Sequence, residues 1–362
     1  MKHYYPRQIY VPPIPQQIPL DLAALENKSV ASMLWRRLRP WLILWANRQT
    51  SLQRESIGTS QTRLLWIYKG WPQIGDALMD LSSRRLLKNT DFEIDLYTDP
   101  HLEALFEGDD VFSQIFSNEN DIDANRYDLV IIDSFKARCL GVKIRRLARL
   151  PFVTMHGYFS GPEFNRTLFS FFRLNQLIGN PNTEHEIALL AAPYHAGSAL
   201  ARKASDDLPI SPRAIAFAVG GEKPERTYER WDSIIRELFS REKIEQIVLL
   251  GSGNGLAMGK RIIDTVPAAE GAIINCIDRF SLVQTFEIMK KCRFFVCCDG
   301  GLLHLANAAR LPTVALFNKE VAPTMRLTKA NVSIPLQSQG PVNALPERRV
   351  IGAIETALSS FP

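Results

Sequence analysis

From Arg63 onward the chain alternates short apolar runs with stretches of helical spacing, a pattern that restricts it to folds built on parallel strands joined by helices. RLLWIYKG (63–70) reads as an apolar strand closing on glycine, and DALMDLSSRRLLK (76–88) follows with apolar residues spaced for a helix. EIDLYTD, YDLVIIDSF and FVTMHGY are further strand-like runs. A second series comprises AIAFAVGG (214–221), EQIVLLGSG (245–253), GAIINC (271–276), RFFVCCDGG (293–301) and PTVALFN (312–318). Helical stretches lie between these runs, at Trp231–Ser240, Met258–Asp264, Leu282–Lys291 and Leu302–Arg310. The polar segment ASDDLPISPR (204–213) separates the two series and reads as a linker. A chain of 362 residues exceeds what one core usually organises. The expectation is therefore an α/β protein with two Rossmann-like domains, 61–205 and 206–345, facing across a cleft. An extension (1–60) precedes them, and a C-terminal helix (346–362) is expected to return toward the first domain.

Open α/β sheets bind ligands at the carboxyl ends of their strands, so the strand-to-helix turns are where chemistry is sought. In FFVCCDGGLLHLANAA, Asp299 reads as a helix cap, and Gly300 and Gly301 keep the turn free of side chains. The first amides of that helix, through Leu302, are then available to a diphosphate, with His304 one turn further in. In AIAFAVGGEKPERTYERW the strand ends at Gly220-Gly221 and Lys223 follows, an arrangement for a phosphate held by backbone amides and one ammonium. LLGSGNG brings Ser252 and Gly253 to a third strand end, within reach of a ribose or base. It lacks the third glycine and the acidic residue of a dinucleotide fingerprint, which disfavours hydride chemistry. In the first series, Gly75-Asp76 places a carboxylate where it could take a proton from an acceptor hydroxyl. His156, Tyr158 and Arg166 follow FVTMHGY in a loop read as facing the cleft, and are candidates for binding an acceptor. Each residue also has a plain structural reading: Asp76 and Asp299 as helix caps, Lys223 as a solvated surface lysine.

The net charge of +5 suits an anionic substrate or an anionic membrane surface without demanding nucleic acid. Five cysteines, none with zinc-site spacing to a histidine, read as buried free thiols in a reducing compartment, and no metal site is expected. Residues 1–19 lack the apolar stretch of a signal peptide, so the expected location is the cytoplasm. From Ser32 to Arg48 the sequence SMLWRRLRPWLILWANR carries four arginines, too many to span a bilayer. Two readings stand: a helix lying in the cytoplasmic face of the inner membrane, or one packing its tryptophan face on the enzyme.

Four segments together resemble the bacterial heptosyltransferases, glycosyltransferases of family 9 with the GT-B fold, over roughly residues 62 to 345. They are IGDALMDLSSRRLLK, VGGEKPERTYERW, LLGSG and, most specific, CCDGGLLHLANAARLPTVALFN. The resemblance implies inverting, metal-independent transfer of a sugar, usually heptose from ADP-heptose, to a hydroxyl of the lipopolysaccharide core, with no cofactor beyond the nucleotide-sugar donor. Carried over residue by residue, it makes Asp76 the general base, sets Lys223 near the donor phosphates, and puts Asp299, Gly300, Gly301 and His304 in the donor loop. The chain departs from the family at Gly300, where threonine or serine is usual, at Asn318 in place of glycine, and at Gln284 in place of an acidic residue. No acidic residue follows LLGSGNG to grip a ribose. These departures leave open another nucleotide sugar, another glycan or a protein as acceptor, and a non-catalytic nucleotide-binding scaffold. A metal-dependent transferase using Asp121 and Asp123 would need a single-sheet domain, which the two series oppose.

Overall fold

The computed structural model describes residues 18–21, 29–69, 71–157 and 163–361. Two compact units divide between Ala191 and Ala192, each built on its own sheet.

The first unit contains strands β1 (Leu20–Asp21), β2 (Arg63–Ile67), β3 (Glu93–Tyr97), β4 (Phe112–Phe116), β5 (Leu129–Ser134), β6 (Phe152–Gly157) and β7 (Glu163–Phe164). Its helices are α1 (Val30–Ala46), α2 (Ile74–Asp80), α3 (Pro100–Phe106), α4 (Ala137–Arg146), α5 (Arg166–Leu177) and α6 (Glu184–Leu190). Five strands form a parallel sheet in the order β4-β3-β2-β5-β6, while β1 pairs antiparallel with β7. Leu64 to Ile67 and all of β5 and β6 are buried, as strands covered on both faces must be. The run expected as one helix over 76–88 divides into α2 and a tight 3-10 stretch, Ser82–Leu87. β4 escaped the sequence reading because FSQIF is half polar and its middle is exposed.

The segment read as an extension is partly built into this unit. Leu44 of α1 is fully buried with Leu65, Ile67, Val130 and Phe152, a burial that stabilises by roughly 1.5–3 kcal/mol. Gln49 follows, donating to Ala148 O and accepting from the buried Lys143 ammonium at 2.6 Å. Gln53 then bridges to Phe152 at the sheet edge. Lys143 has no carboxylate partner there, and burial brings its pKa down to about 8.

The second unit holds β8 (Ile215–Ala218), β9 (Ile247–Leu250), β10 (Ile273–Asn275), β11 (Phe294–Cys298), β12 (Thr313–Phe317) and β13 (Ser333–Gln337). Its helices are α7 (Ala199–Asp206), α8 (Trp231–Ser240), α9 (Leu256–Thr265), α10 (Leu282–Met289), α11 (Gly301–Ala308) and α12 (Glu347–Ser360). The order β10-β9-β8-β11-β12-β13, parallel throughout, is the doubly wound arrangement. β13 was masked in the sequence by Pro335, which an edge strand tolerates because one row of its backbone groups needs no partner. Residues 204–206 of the segment read as a linker close α7, whose Arg202 meets the buried Glu287 of α10. α12, expected to return toward the first domain, spends its apolar stripe inside the second unit. Val350, Ile354, Ala357 and Phe361 recur at helical spacing and join the core of Phe217, Trp231 and Leu316.

All five cysteines are buried free thiols. Burial pushes Cys276 up to about 11 and Cys139, Cys292 and Cys298 up to about 12, with Cys297 also raised. The unfolded chain gives up these protons near pH 9 while the fold retains them, so their stabilising contribution is full below that pH and is lost as pH climbs toward 12. Lys143 and Lys136, both lowered to about 8, act in the opposite direction between pH 8 and 10.5 but are outnumbered. Urea unfolding should therefore give a lower stability at pH 10.5 than at pH 8.5, and a rise in stability over that interval would refute this account.

Candidate functional site

In each sheet the chain order reverses at one point, between β2 and β5 and between β8 and β11. The connections leave toward opposite faces there, which opens a crevice at the strand ends. In the second unit that point carries Gly220 to Lys223 after β8 and Asp299 to Gly301 after β11.

The glycines after β8 are required by close approach. A Cβ on Gly220 would lie 2.3 Å from Asn254 Oδ1 and 2.9 Å from Gly255 N, and one on Gly221 would lie 2.2 Å from Thr227 Oγ1. The first of these contacts brings the turns after β8 and β9 together. Lys223 is exposed, and its carbonyl accepts from Thr227 Oγ1 at 2.8 Å.

Asp299 is not a helix cap. The cap position of α11 falls to Gly300, with no side-chain hydrogen bond. The Asp299 side chain is 2% exposed and faces two guanidiniums instead: Arg226 Nη1 at 3.4 Å and Arg326 Nε at 3.5 Å. Two arginines are thereby fixed beside a helix start whose first amides have no intrahelical partner, an arrangement that favours an anion. Sequence reading missed both arginines. Arg226 sits in the Pro224–Arg226 turn behind the more conspicuous Lys223, and Arg326 arrives from beyond β12 with no local signal.

Gly300 is extended, with φ 176°, and a Cβ there would meet nothing nearer than Cys298 O at 4.0 Å. Neither backbone conformation nor space therefore demands glycine at this position. His304 lies in α11 and is buried at 3% exposure. Ser252 donates to Asn254 Oδ1 at 3.2 Å, and Gly253 begins the short turn leading into α9. The acidic residue absent from the sequence after LLGSGNG is brought there by the fold. Asp278, beyond β10, places a carboxylate oxygen 3.7 Å from where a Gly253 Cβ would stand. Two of the departures from the family pattern also have local reasons. Gln284 completes a capping box with Ser281, and Asn318 Oδ1 accepts from the amides of Glu320 and Val321.

In the first unit Asp76 lies in the first turn of α2, its side chain 24% exposed and 3.8 Å from Arg166 Nη1. Arg166 is otherwise committed to Asp80, with Nε donating to Oδ1 at 2.8 Å and Nη2 to Oδ2, while the Tyr68 hydroxyl donates to the same carboxylate at 3.0 Å. His156 stands between Asp80 (Nε2 to Oδ1, 3.6 Å) and Asp133 (Nδ1 to Oδ1, 3.3 Å), stacked on Phe169. The loop reading is thus corrected for two of its three residues. His156 and Arg166 belong to a buried polar network because β6 and α5 turn both inward, and Tyr158 lies outside the described residues.

Asp80, Asp133 and His156 have ligand atoms within 4.8 Å of one another, as a metal ion would need. Sequence reading did not find this group because it is gathered from α2, β5 and β6. Two cations already serve it. Arg166 is bound to Asp80, and Lys136, lowered to about 8 chiefly by burial and next by Arg166, feels the charges of Asp133 and Asp80.

Residues 171–345 match glycosyltransferase family 9 (heptosyltransferase). This part of the chain is a family 9 domain. The fold of the chain as a whole is shared with solved GT-B glycosyltransferases. A family 9 glycosyltransferase from Veillonella parvula DSM 2008 superposes with a TM-score of 0.65 at 16% identity, over 82% of this chain and 97% of that one. The Escherichia coli ADP-heptose lipopolysaccharide heptosyltransferase II gives 0.62 at 18% identity, over 82% and 99%. Escherichia coli heptosyltransferase WaaC with ADP gives 0.61 at 14% identity, over 82% and 100%. None of the curated proteins matches the chain in sequence.

Two substitutions test the local geometry. Asp80→Asn leaves the buried Arg166 without its carboxylate and should cost about 3–5 kcal/mol in urea unfolding. Gly300→Ser should leave stability within about 0.5 kcal/mol of wild type, whereas Gly221→Ala should lower it clearly; equal stability of the two would refute the close contact at Thr227.

Proposed function

We propose that this glycosyltransferase moves a sugar from a nucleotide diphosphate sugar, with ADP-heptose the first candidate, to a hydroxyl of the lipopolysaccharide core, working at the cytoplasmic face of the inner membrane. The observation that carries the reading is the turn after β11. Asp299 fixes Arg226 and Arg326 beside the open start of α11, giving a departing diphosphate two guanidiniums and helix amides together. Lys223, Gly220, Gly221, Gly301 and Leu302 complete the donor contacts, with His304 behind them. Ser252, Gly253 and the neighbouring Asp278 lie on the side toward a ribose. Two of the similar solved structures, an ADP-heptose lipopolysaccharide heptosyltransferase and WaaC with ADP, support an adenine nucleotide.

The chemistry proposed is a single inverting displacement. Asp76 takes the proton from the acceptor hydroxyl, the hydroxyl oxygen attacks the anomeric carbon, and the bond to the diphosphate breaks as its charge passes to the arginines and amides. Arg166 Nη1, 3.8 Å from Asp76 Oδ1, limits the movement of that carboxylate.

A thermal-shift panel of ADP, UDP, GDP, CDP and TDP tests the donor class, and ADP should stabilise most. Arg326→Met and Arg226→Met should each weaken ADP binding tenfold or more, the loss expected of one charge-assisted hydrogen bond. Asp76→Asn should lower turnover about 10²- to 10⁴-fold with ADP affinity retained. Turnover that survives this change would place the base elsewhere.

A further inference from the structure

Helix α1 presents a surface that sugar transfer does not explain. Of the large apolar side chains exposed among the described residues, Leu34, Trp35, Leu38, Trp41, Leu42 and Trp45 all stand on this one helix, at 61, 57, 45, 44, 38 and 62% exposure. They follow a helical stripe, with Leu34, Leu38, Trp41 and Trp45 at steps of four, three and four and Trp35 and Leu42 alongside. The opposite side holds the fully buried Leu44 and the partly buried Ile43, packed on the first unit. The reading in which the tryptophans pack on the enzyme is therefore not what the fold adopts. No acidic residue occurs between Ser29 and Gln53, while Arg36, Arg37, Arg39 and Arg48 lie in that stretch. At 100° per residue, Arg37 falls on one flank of the apolar stripe and Arg39 on the other, and Arg48 follows just beyond the helix end. No helix among the described residues is long and apolar enough to cross a membrane.

We propose that α1 is a docking surface for an anionic lipid bilayer, lying in the membrane plane with its tryptophans at the headgroup level and its arginines turned to lipid phosphates. Three features select this occupant over a protein groove. The apolar face is rich in tryptophan, which partitions to the bilayer interface. Its flanks carry one sign of charge only, complementary to anionic headgroups at about fivefold in affinity per basic residue. The helix is fixed through Leu44 and Gln49, so the exposed stripe is presented without unfolding. The inference does not depend on which sugar or nucleotide the enzyme uses.

The full chain should co-sediment with phosphatidylglycerol-rich vesicles and remain in solution with pure phosphatidylcholine, and added salt should release it. The double variant Trp41→Ser/Trp45→Ser should lose binding at least tenfold, and Arg37→Gln/Arg39→Gln should lose it selectively on anionic vesicles. An unchanged thermal midpoint in each variant would show that the fold is intact. Equal binding to both lipids, or binding unaffected by the tryptophan changes, would overturn the proposal. So would a dimer in light scattering that the tryptophan changes dissolve, since a second copy would then be the occupant.

Discussion

A parallel sheet covered on both faces leaves only its strand ends for polar chemistry, and both units of this enzyme follow from that constraint. Their strands are filled with apolar side chains such as Leu64 to Ile67 and Phe294 to Cys298, which carry no chemistry. The functional residues are consequently confined to a few turns at the carboxyl ends, and the most informative of these occupy the two points where strand order reverses.

Charge at those points is handled differently in the two units. After β11, one buried carboxylate holds two arginines toward a helix start, so the local surplus is positive and suits an anion. After β2, β5 and β6, the carboxylates of Asp76, Asp80 and Asp133 are interleaved with Arg166 and Lys136, and most of the network is closed to solvent. Of these carboxylates only Asp76 keeps appreciable exposure. Asp80, held by Tyr68 and beside His156, anchors the Arg166 that reaches Asp76.

The departures from the family pattern are unequal in weight once the fold is seen. Gln284 and Asn318 serve backbone hydrogen bonds, so their identity is explained by local structure. Gly300 has no such reason, since the space around it would accept a side chain. A carboxylate does stand beside the turn after β9, that of Asp278 from beyond β10.

The sequence by itself determined the two α/β series, their parallel strands, the glycine-rich turn after β11 and the placement of Asp76 at a helix start, because apolar periodicity and glycine-rich turns are local properties of the chain. It could not determine which distant residues those turns would meet. Arg326 reaches Asp299 from 27 positions on, and Asp133 and His156 meet Asp80 from separate strands, pairings set by strand order and helix packing. It also misassigned what local signals could not separate. Asp299 looked like a cap and proved to be an ion-pair partner, and the apolar stripe of α12 could not say which core it would join. The tryptophans of α1 were equally consistent with burial and exposure until tertiary packing assigned the buried side to Leu44.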